Sequence, residues 1–394
     1  MTTTLIITFC VLLLIAYAFD LSSSKTKIPA VILLLLLGWL VRQLTIWLEI
    51  EIPNTSNVLP VLGTIGLILI VLEGSLELEL HKSKLELIGK SFFVALVPMA
   101  VLALLLALAF NHFGGYGIKD SLLNAIPFCV ISSAIAIPSV KYLSNYNREF
   151  VIYESSLSDI LGILIFNFLI FNENITAYSF GGFIIQIIII AFISIFATIA
   201  LSYLLSKIEH HIKFVPIILI VILIYAITKV YHLPGLIFIL IFGLSIGNID
   251  LFKRFKLIEI FNPRELKVEV IKFKELTTEG AFLIRSLFFL LFGFSIETKE
   301  VMNTNTLYWA LGIVFFILAI RLIQLSASKL PLLPLLFIAP RGLITILLFI
   351  SIEPLQVIPL VNNALIIQVI ILSALVMMVG LMINKPKTSN KSNN

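Results

Sequence analysis

A short run in the middle of the chain places two acidic residues inside an otherwise apolar segment. Glu154 and Asp159 occur in the sequence Glu-Ser-Ser-Leu-Ser-Asp, which continues into Ile-Leu-Gly-Ile-Leu-Ile-Phe. A charged side chain near the centre of a bilayer costs at least about 2.5 kcal/mol, so such residues usually face a partner or a water-filled cavity. Carboxylate and hydroxyl oxygens are also the ligands that hard cations prefer. The segment therefore favours an ion pathway through a membrane.

Helical geometry separates the two acidic residues. At 100° per residue, Ser155 and Asp159 share one face of the helix, and we predict that they offer oxygen ligands to a cation such as Na⁺. Glu154 lies about 140° away from Asp159 by the same rule and shares its own face with Ser158. Glu154 is therefore expected to pair with an arginine elsewhere, and Arg341, in a proline-interrupted span, is the leading candidate. A structural ion pair is the alternative interpretation of Asp159.

Other charged residues fall inside or beside apolar runs. Glu73 follows the run Leu-Ile-Leu-Ile-Val-Leu, and it is either a contributor to the cation path or a satisfied structural carboxylate. Arg285 lies six residues after Glu279, its partner is not identified by the sequence, and we assign it a possible modulatory role. Arg321 is interpreted as a structural or snorkelling residue.

The composition indicates a membrane protein. The 394 residues are 60% hydrophobic and 12% charged, with a mean hydropathy of +1.12, whereas soluble domains are about 25% charged. The isoelectric point near 9.0 does not predict a nucleic-acid partner, because the basic residues lie in short loops between apolar runs. Cys10 and Cys129 have no metal-ligand spacing and are expected to be free thiols, and no cofactor is expected.

Hydropathy and charge predict an all-α membrane protein of about thirteen transmembrane helices. Most of the 27 Lys and Arg residues fall in the loops after odd-numbered spans, which predicts an external N-terminus and a cytoplasmic C-terminus in the inner (plasma) membrane. Residues 1–384 are expected to form a single polytopic domain, and 385–394 a short disordered cytoplasmic tail. The predicted spans are 3–20, 28–47, 57–80, 87–111, 121–143, 151–172, 178–206, 213–230, 233–249, 277–297, 306–327, 331–352 and 357–384.

An internal repeat relates the two halves of the chain. Pro29 and Gly38 in the second span are nine residues apart, as are Pro234 and Gly243 in the ninth span. The following spans also end alike, in Glu-Gly-Ser-Leu-Glu and Phe-Gly-Phe-Ser-Ile-Glu. We therefore predict that spans 1–6 repeat, inverted, as spans 8–13. In inverted-repeat transporters the substrate site lies where broken helices of the two halves meet.

The two helices predicted to be broken are spans 5 and 12. Proline removes a backbone donor and frees a carbonyl, which a bilayer tolerates where the polar groups line a cavity. Simple kinks are the alternative. The prolines concerned are Pro127 and Pro138 in span 5, and Pro331, Pro334 and Pro340 in span 12.

These motifs resemble those of the cation:proton antiporter superfamily, and within it the sodium/proton exchangers and NhaP-type antiporters of bacteria and archaea. Glu154-Ser155-Ser-Leu-Ser158-Asp159 is similar to the family's Glu-Ser-x-x-Asn-Asp. Pro340-Arg341-Gly342-Leu343 resembles the family's Leu-Arg-Gly-Ala, and the run from Leu72 to Leu78 resembles Glu-x-Gly-Leu-Glu-Leu. The resemblance covers nearly the whole apolar part of the chain.

The resemblance implies a homodimer in the lipid bilayer, each subunit having a dimerisation domain and a mobile core domain that moves like an elevator. It implies that Asp159 alternately binds a proton or a monovalent cation, Na⁺ first and Li⁺ or K⁺ as alternatives. Ser155 and Glu73 match positions of the family's ion site. Glu154 and Arg341 match its structural ion pair.

Two positions depart from the family pattern. Ser158 stands where the family has Asn, and we keep it among the predicted cation-binding residues. The family's Thr-Asp-Pro falls on Ala136-Ile137-Pro138, so a backbone carbonyl near Ala136 is expected to replace the missing side-chain oxygens. With a single titrating group at the site, exchange is predicted to be electroneutral. A non-transporting membrane protein, or one of altered specificity, that keeps the antiporter fold is the competing interpretation; no enzymatic activity is expected.

Overall fold

The chain is helical throughout the part described by the computed structural model. That part comprises residues 2–26, 28–50, 58–140, 143–172, 176–208, 212–252 and 263–383, and it contains no strand. The predicted tail 385–394 lies outside it. Ten segments in these ranges are long and apolar enough to cross a membrane, and two shorter apolar helices accompany them. The predicted all-α membrane class is confirmed, and the count of thirteen spans remains a prediction.

The described residues form the following helices, in chain order. They are α1 (Thr2–Thr26), α2 (Ala30–Trp47), α3 (Val58–Glu77), α4 (Leu85–Gly114), α5 (Ile118–Ala125), α6 (Ser133–Ser139), α7 (Asn145–Phe171), α8 (Ala177–Lys207), α9 (Phe214–Val230), α10 (Gly235–Gly247), α11 (Ile249–Phe252), α12 (Pro263–Ser295), α13 (Thr298–Val301), α14 (Thr304–Ala327), α15 (Leu343–Ile350) and α16 (Asn363–Ile383).

The fifth predicted span is interrupted between α5 and α6. A 3₁₀ turn over Ile126–Phe128 follows α5, residues 129–132 are not helical, and α6 begins at Ser133. Pro127 lies in the turn beside the interruption, as the sequence predicts. Pro138 lies inside α6. The prediction that it interrupts the helix is wrong, because the chain leaves helical geometry several residues earlier.

A second interruption occurs between α14 and α15, and the two interruptions meet. A 3₁₀ turn over Leu335–Phe337 is followed by non-helical residues 338–342. The Ser132 N–H donates to the Pro340 carbonyl at 2.9 Å, which joins the two non-helical segments. A Cβ atom on Gly342 would lie 2.7 Å from the Ser132 hydroxyl, so a larger residue there would force this side chain to move.

The repeated glycines make reciprocal helix contacts. Gly38 of α2 packs against the backbone of Leu290 in α12, and Gly293 of α12 packs against the backbone of Leu35 in α2. In the other copy, Gly243 of α10 packs against Ser75 of α3. Gly38 and Gly243 thus allow matching approaches, of α2 to α12 and of α10 to α3, while the inverted repeat itself remains a prediction.

Helix α3 lies between two sets of packed helices. On one side it packs with α10 and α12, and α12 in turn packs with α2. On the other side it contacts α7 and α15, where Gly74 lies against Ser156 and Gly63 lies against Leu347. The second set also includes α4, α5, α14 and α16, which pack through α4–α7 and α14–α16 contacts. The two interruptions belong to this second set.

Candidate functional site

The Asp159 carboxylate lies on α7, buried beside the start of α6. One of its oxygens, Oδ2, accepts hydrogen bonds from the Ser133 N–H at 3.3 Å and from the Ser133 hydroxyl. The other oxygen, Oδ1, has no hydrogen-bond partner among the described residues, and the residue is only 2% exposed. One oxygen of the carboxylate is therefore held by the protein, and the other is buried without a hydrogen-bond partner among the described residues.

The interruption before α6 explains why Ser133 reaches this carboxylate. The first N–H groups of a helix have no acceptor within the helix, and this end carries partial positive charge that favours an anion. Ser133 is the first residue of α6, so its N–H and hydroxyl are both available to Asp159. The sequence prediction missed Ser133. The available signal was the adjacent pair Ser132-Ser133 within an apolar span.

Two serines of the α7 motif support the same region. The Ser158 hydroxyl accepts the N–H of Ile131 at 2.9 Å, which satisfies a donor of the non-helical segment. The Ser155 hydroxyl donates to the Val151 carbonyl at 2.7 Å, one turn earlier in the same helix. Both serines are buried, and each hydroxyl oxygen keeps a lone pair. Ser158 thus lies against the first interruption, and Ser155 one turn before Asp159.

Ala136 is not at the interruption. It lies within α6, and its N–H donates to the Ser132 carbonyl at 2.9 Å. The backbone carbonyl expected near Ala136 therefore lies within a helix, after the non-helical residues 129–132, and its role as a ligand stays a prediction. The side-chain oxygens nearest the break belong to Ser132 and Ser133, one turn earlier than expected.

A cavity of about 810 Å³ extends to the site from one end of α3. Ser133 is part of its wall, whereas Asp159 is not, so the serine lies between the cavity and the carboxylate. The predicted residues Glu73 and Arg285 both line this cavity, and Glu73 is half-buried. Three further acidic residues line it: Asp20, Glu77 and Glu279. The cavity is therefore lined by more acidic than basic side chains.

A second cavity, of about 390 Å³, lies towards the other end of α3. Its wall includes Thr64, Asn167, Lys229 and Ser351, together with apolar residues of α7, α10 and α15. The two cavities thus touch different halves of the same helix, since the first is lined by residues from Leu69 to Glu77.

The buried partner of Glu154 is Arg321 of α14. The two side chains form a two-fold ion pair with N–O distances of 2.8 and 2.9 Å, and both are at most 3% exposed. Arg321 also donates through Nε to the Leu335 carbonyl at 2.7 Å, and Gln324 approaches Glu154 at 3.5 Å. Arg321 and Gln324 are three residues apart on one helix face, which is the signal that the sequence offered.

Arg341 has different partners, so the predicted Glu154–Arg341 pair is wrong. Its Nε donates to the Phe128 carbonyl at 2.5 Å and its Nη1 to the Ala339 carbonyl at 3.0 Å. These carbonyls flank the two interruptions, where non-helical backbone leaves acceptors available. Arg341 therefore ties the two broken segments together, and the carboxylate of Glu154 is left to Arg321.

The fold is that of a multi-pass, all-helical membrane protein, and the family match assigns it to the cation:proton antiporter class. The chain belongs to the sodium/hydrogen exchanger family, because that family's transmembrane model matches residues 10–385. The chain is also similar to two structures of the sodium/proton antiporter MjNhaP1 of Methanocaldococcus jannaschii. One, at pH 8, has 21% identity and a TM-score of 0.65, covering 97% of this chain and 96% of that one. The other, an electron-microscopy structure, has 19% identity and a TM-score of 0.67, covering 98% and 100%. No curated protein sequence matches this chain significantly.

Proposed function

We propose that this protein exchanges a monovalent cation, Na⁺ in the first place and Li⁺ or K⁺ as alternatives, for H⁺ at Asp159. The observation that carries the proposal is the half-held carboxylate. Ser133 holds Oδ2, while Oδ1 has no partner among the described residues. A proton and a cation compete for one such oxygen, and a carrier that holds either but not both exchanges one for the other.

Further oxygen ligands are proposed around Asp159. Ser155 and Ser158 lie on the same helix, Glu73 lines the adjoining cavity, and a backbone carbonyl near Ala136 is a further ligand. Arg285, in the wall of the same cavity, modulates the approach of cations through its positive charge. The ligand roles are proposed from the positions of these oxygen atoms, and the role of Arg285 from its charge. Each role can be tested by a single substitution.

The proposed mechanism is alternating access of the elevator type within a homodimer. Helix α3 separates the two helix sets and contacts the second set through Gly63 and Gly74. At Gly74 the facing side chain is the small Ser156, so little interdigitation is broken there when one set slides past the other. The two cavities at different halves of α3 support alternating entry from opposite sides of the membrane. The N-terminus is proposed to lie outside and the C-terminus in the cytoplasm.

The deciding experiment is cation-driven proton movement in proteoliposomes that contain a pH-sensitive dye. The Asp159→Asn variant keeps the shape of the side chain but cannot bind a proton or an alkali cation in the same way. We expect it to fold and to show no exchange, while Asp120→Asn, at the start of α5, behaves as the wild type. Normal exchange by Asp159→Asn would refute the carrier role. A folded wild-type protein that exchanges none of Na⁺, Li⁺ and K⁺ would favour the non-transporting alternative.

A further inference from the structure

We propose that Ser133 is the residue that positions the carrier carboxylate and supplies the hydroxyl ligand to the transported cation; this inference rests on the proposed function. In the structure its hydroxyl and N–H both point at Oδ2 of Asp159. When a cation binds at Oδ1, rotation of the hydroxyl turns its lone pairs towards the cation. The N–H stays on Oδ2 and keeps the carboxylate in place.

The position of Ser133 in the cavity wall supports this role. A cation entering the cavity of about 810 Å³ meets Ser133 before Asp159, because the serine lines the cavity and the aspartate lies behind it. Ser133 is only 4% exposed, so its hydroxyl lies among protein atoms at the inner end of the cavity. A desolvated cation there must recover its lost water ligands from protein oxygens.

Two neighbouring serines, Ser139 on α6 and Ser158 on α7, differ from Ser133 in their hydrogen-bond partners. The Ser139 hydroxyl, also on α6, donates to the Ile135 carbonyl at 2.7 Å, and the Ser158 hydroxyl accepts from the Ile131 N–H. Both are engaged with backbone. Ser133 is the residue of α6 whose hydroxyl bonds to the carboxylate itself. Ser139→Ala is therefore a matched control that removes a buried hydroxyl from the same helix without touching Asp159.

The test compares Ser133→Ala, Ser133→Thr and Ser139→Ala in proteoliposomes over a range of Na⁺ concentrations at fixed pH. We expect Ser133→Ala to raise the KM for Na⁺ about tenfold, while the maximal rate stays within about twofold of wild type, since one hydroxyl ligand is lost and the carrier is kept. Ser133→Thr retains the hydroxyl and should restore the wild-type KM. Ser139→Ala should resemble wild type. The ratio of Li⁺ to Na⁺ affinities should also change in Ser133→Ala alone.

A second readout does not depend on transport. Na⁺ should raise the thermal midpoint of the detergent-solubilised wild type and of Ser139→Ala, and this stabilisation should be reduced in Ser133→Ala. If the alanine variant does not fold, Ser133→Cys, which keeps the size of the side chain but replaces the hard oxygen by sulfur, carries the same test. An unchanged KM and an unchanged Na⁺ stabilisation would overturn the proposal, as would a fall in maximal rate with unchanged KM. If the wild type exchanges cations, these outcomes would refute only the role of Ser133 and would not contradict the proposed function.

Discussion

Arg321 and Arg341 are both buried, and the structure pairs only Arg321 with the buried Glu154. This difference can be measured. The Glu154–Arg321 pair is two-fold, and both residues are almost wholly buried. Removal of one member of such a pair leaves an uncompensated charge and costs roughly 3–5 kcal/mol. We therefore expect Glu154→Gln and Arg321→Gln each to lower the thermal midpoint in detergent sharply, and the double variant to be less damaged than the sum of the singles.

The matching control uses the arginine that the sequence favoured. Arg341 bonds to backbone carbonyls, so a cycle between Glu154 and Arg341 should give a much smaller coupling energy. Equal coupling in the two cycles, or strict additivity between Glu154 and Arg321, would contradict the observed pairing. Thermal unfolding of the purified variants, measured at one pH and one detergent concentration, supplies all of the required midpoints.

Helical periodicity places Glu154 and Asp159 on different faces of α7, but it could not choose their partners. The angle between two residues about a helix axis depends on that helix alone, so the sequence is sufficient to predict it. The partner of Glu154 depends on which face of α14 approaches α7, and apolar composition around Arg321 contains no such information. Ser133 was missed for a related reason, because the contact of its hydroxyl with Asp159 depends on the place where the helix breaks, which the sequence of one span does not reveal.

The breaks themselves illustrate how far local sequence determines an element. Prolines predicted interruptions in both spans, and interruptions occur in both. A helix tolerates proline in its first turn. A proline in the interior destabilises the helix by about 3 kcal/mol, which tertiary contacts can offset. Pro127 and Pro340 lie at interruptions, and Pro138 lies within α6. A non-helical segment needs partners for its backbone groups, such as the Ser158 hydroxyl that accepts the Ile131 N–H. Such partners lie on other helices, so the sequence of one span does not show where its helix breaks.

The repeated Pro-to-Gly motif makes a prediction about helix packing. A Cβ atom on Gly38 would overlap the backbone carbonyl oxygen of Leu290 and lie 2.7 Å from the Phe294 nitrogen. Because these are backbone atoms, a rotamer change cannot relieve the clash, and overpacking typically costs about 1–3 kcal/mol. We expect Gly38→Ala to lower the thermal midpoint and to reduce the yield of folded protein.

A matched glycine tests whether the effect comes from packing or from helix propensity. Gly181 lies in α8, and a Cβ atom added to it would have no other atom within 4 Å, so Gly181→Ala should be neutral or slightly stabilising. Gly243→Ala, in the other copy of the motif, should resemble Gly38→Ala because its Cβ would lie 2.8 Å from the Ser75 Cβ, which a rotamer change does not move. A neutral Gly38→Ala variant would show that the α2–α12 approach is looser than the structure indicates.

At the scale of the whole molecule, the number of ionisable groups at the site determines how much net charge one transport cycle moves across the membrane. Among the described residues, Asp159 is the buried carboxylate at the meeting point of the interruptions, and its neighbours Ser133 and Ser158 do not ionise at accessible pH. One such group carries one proton in one direction or one monovalent cation in the other. The exchange is then one for one and moves no net charge. A cycle that did move charge would gain or lose about 2.3 kcal/mol per elementary charge per 100 mV.

We therefore expect exchange rates that do not change when proteoliposomes are clamped to about 100 mV with valinomycin and K⁺, with Na⁺ as the test cation. Glu73 is the residue that could alter this result, because it lines the same cavity as Ser133 and is half-buried. Transient currents on solid-supported membranes, or a Na⁺ gradient driven by potential at equal pH, would refute electroneutral exchange. In that event Glu73→Gln should abolish the currents but retain residual exchange, since a second carboxylate would then carry the extra proton.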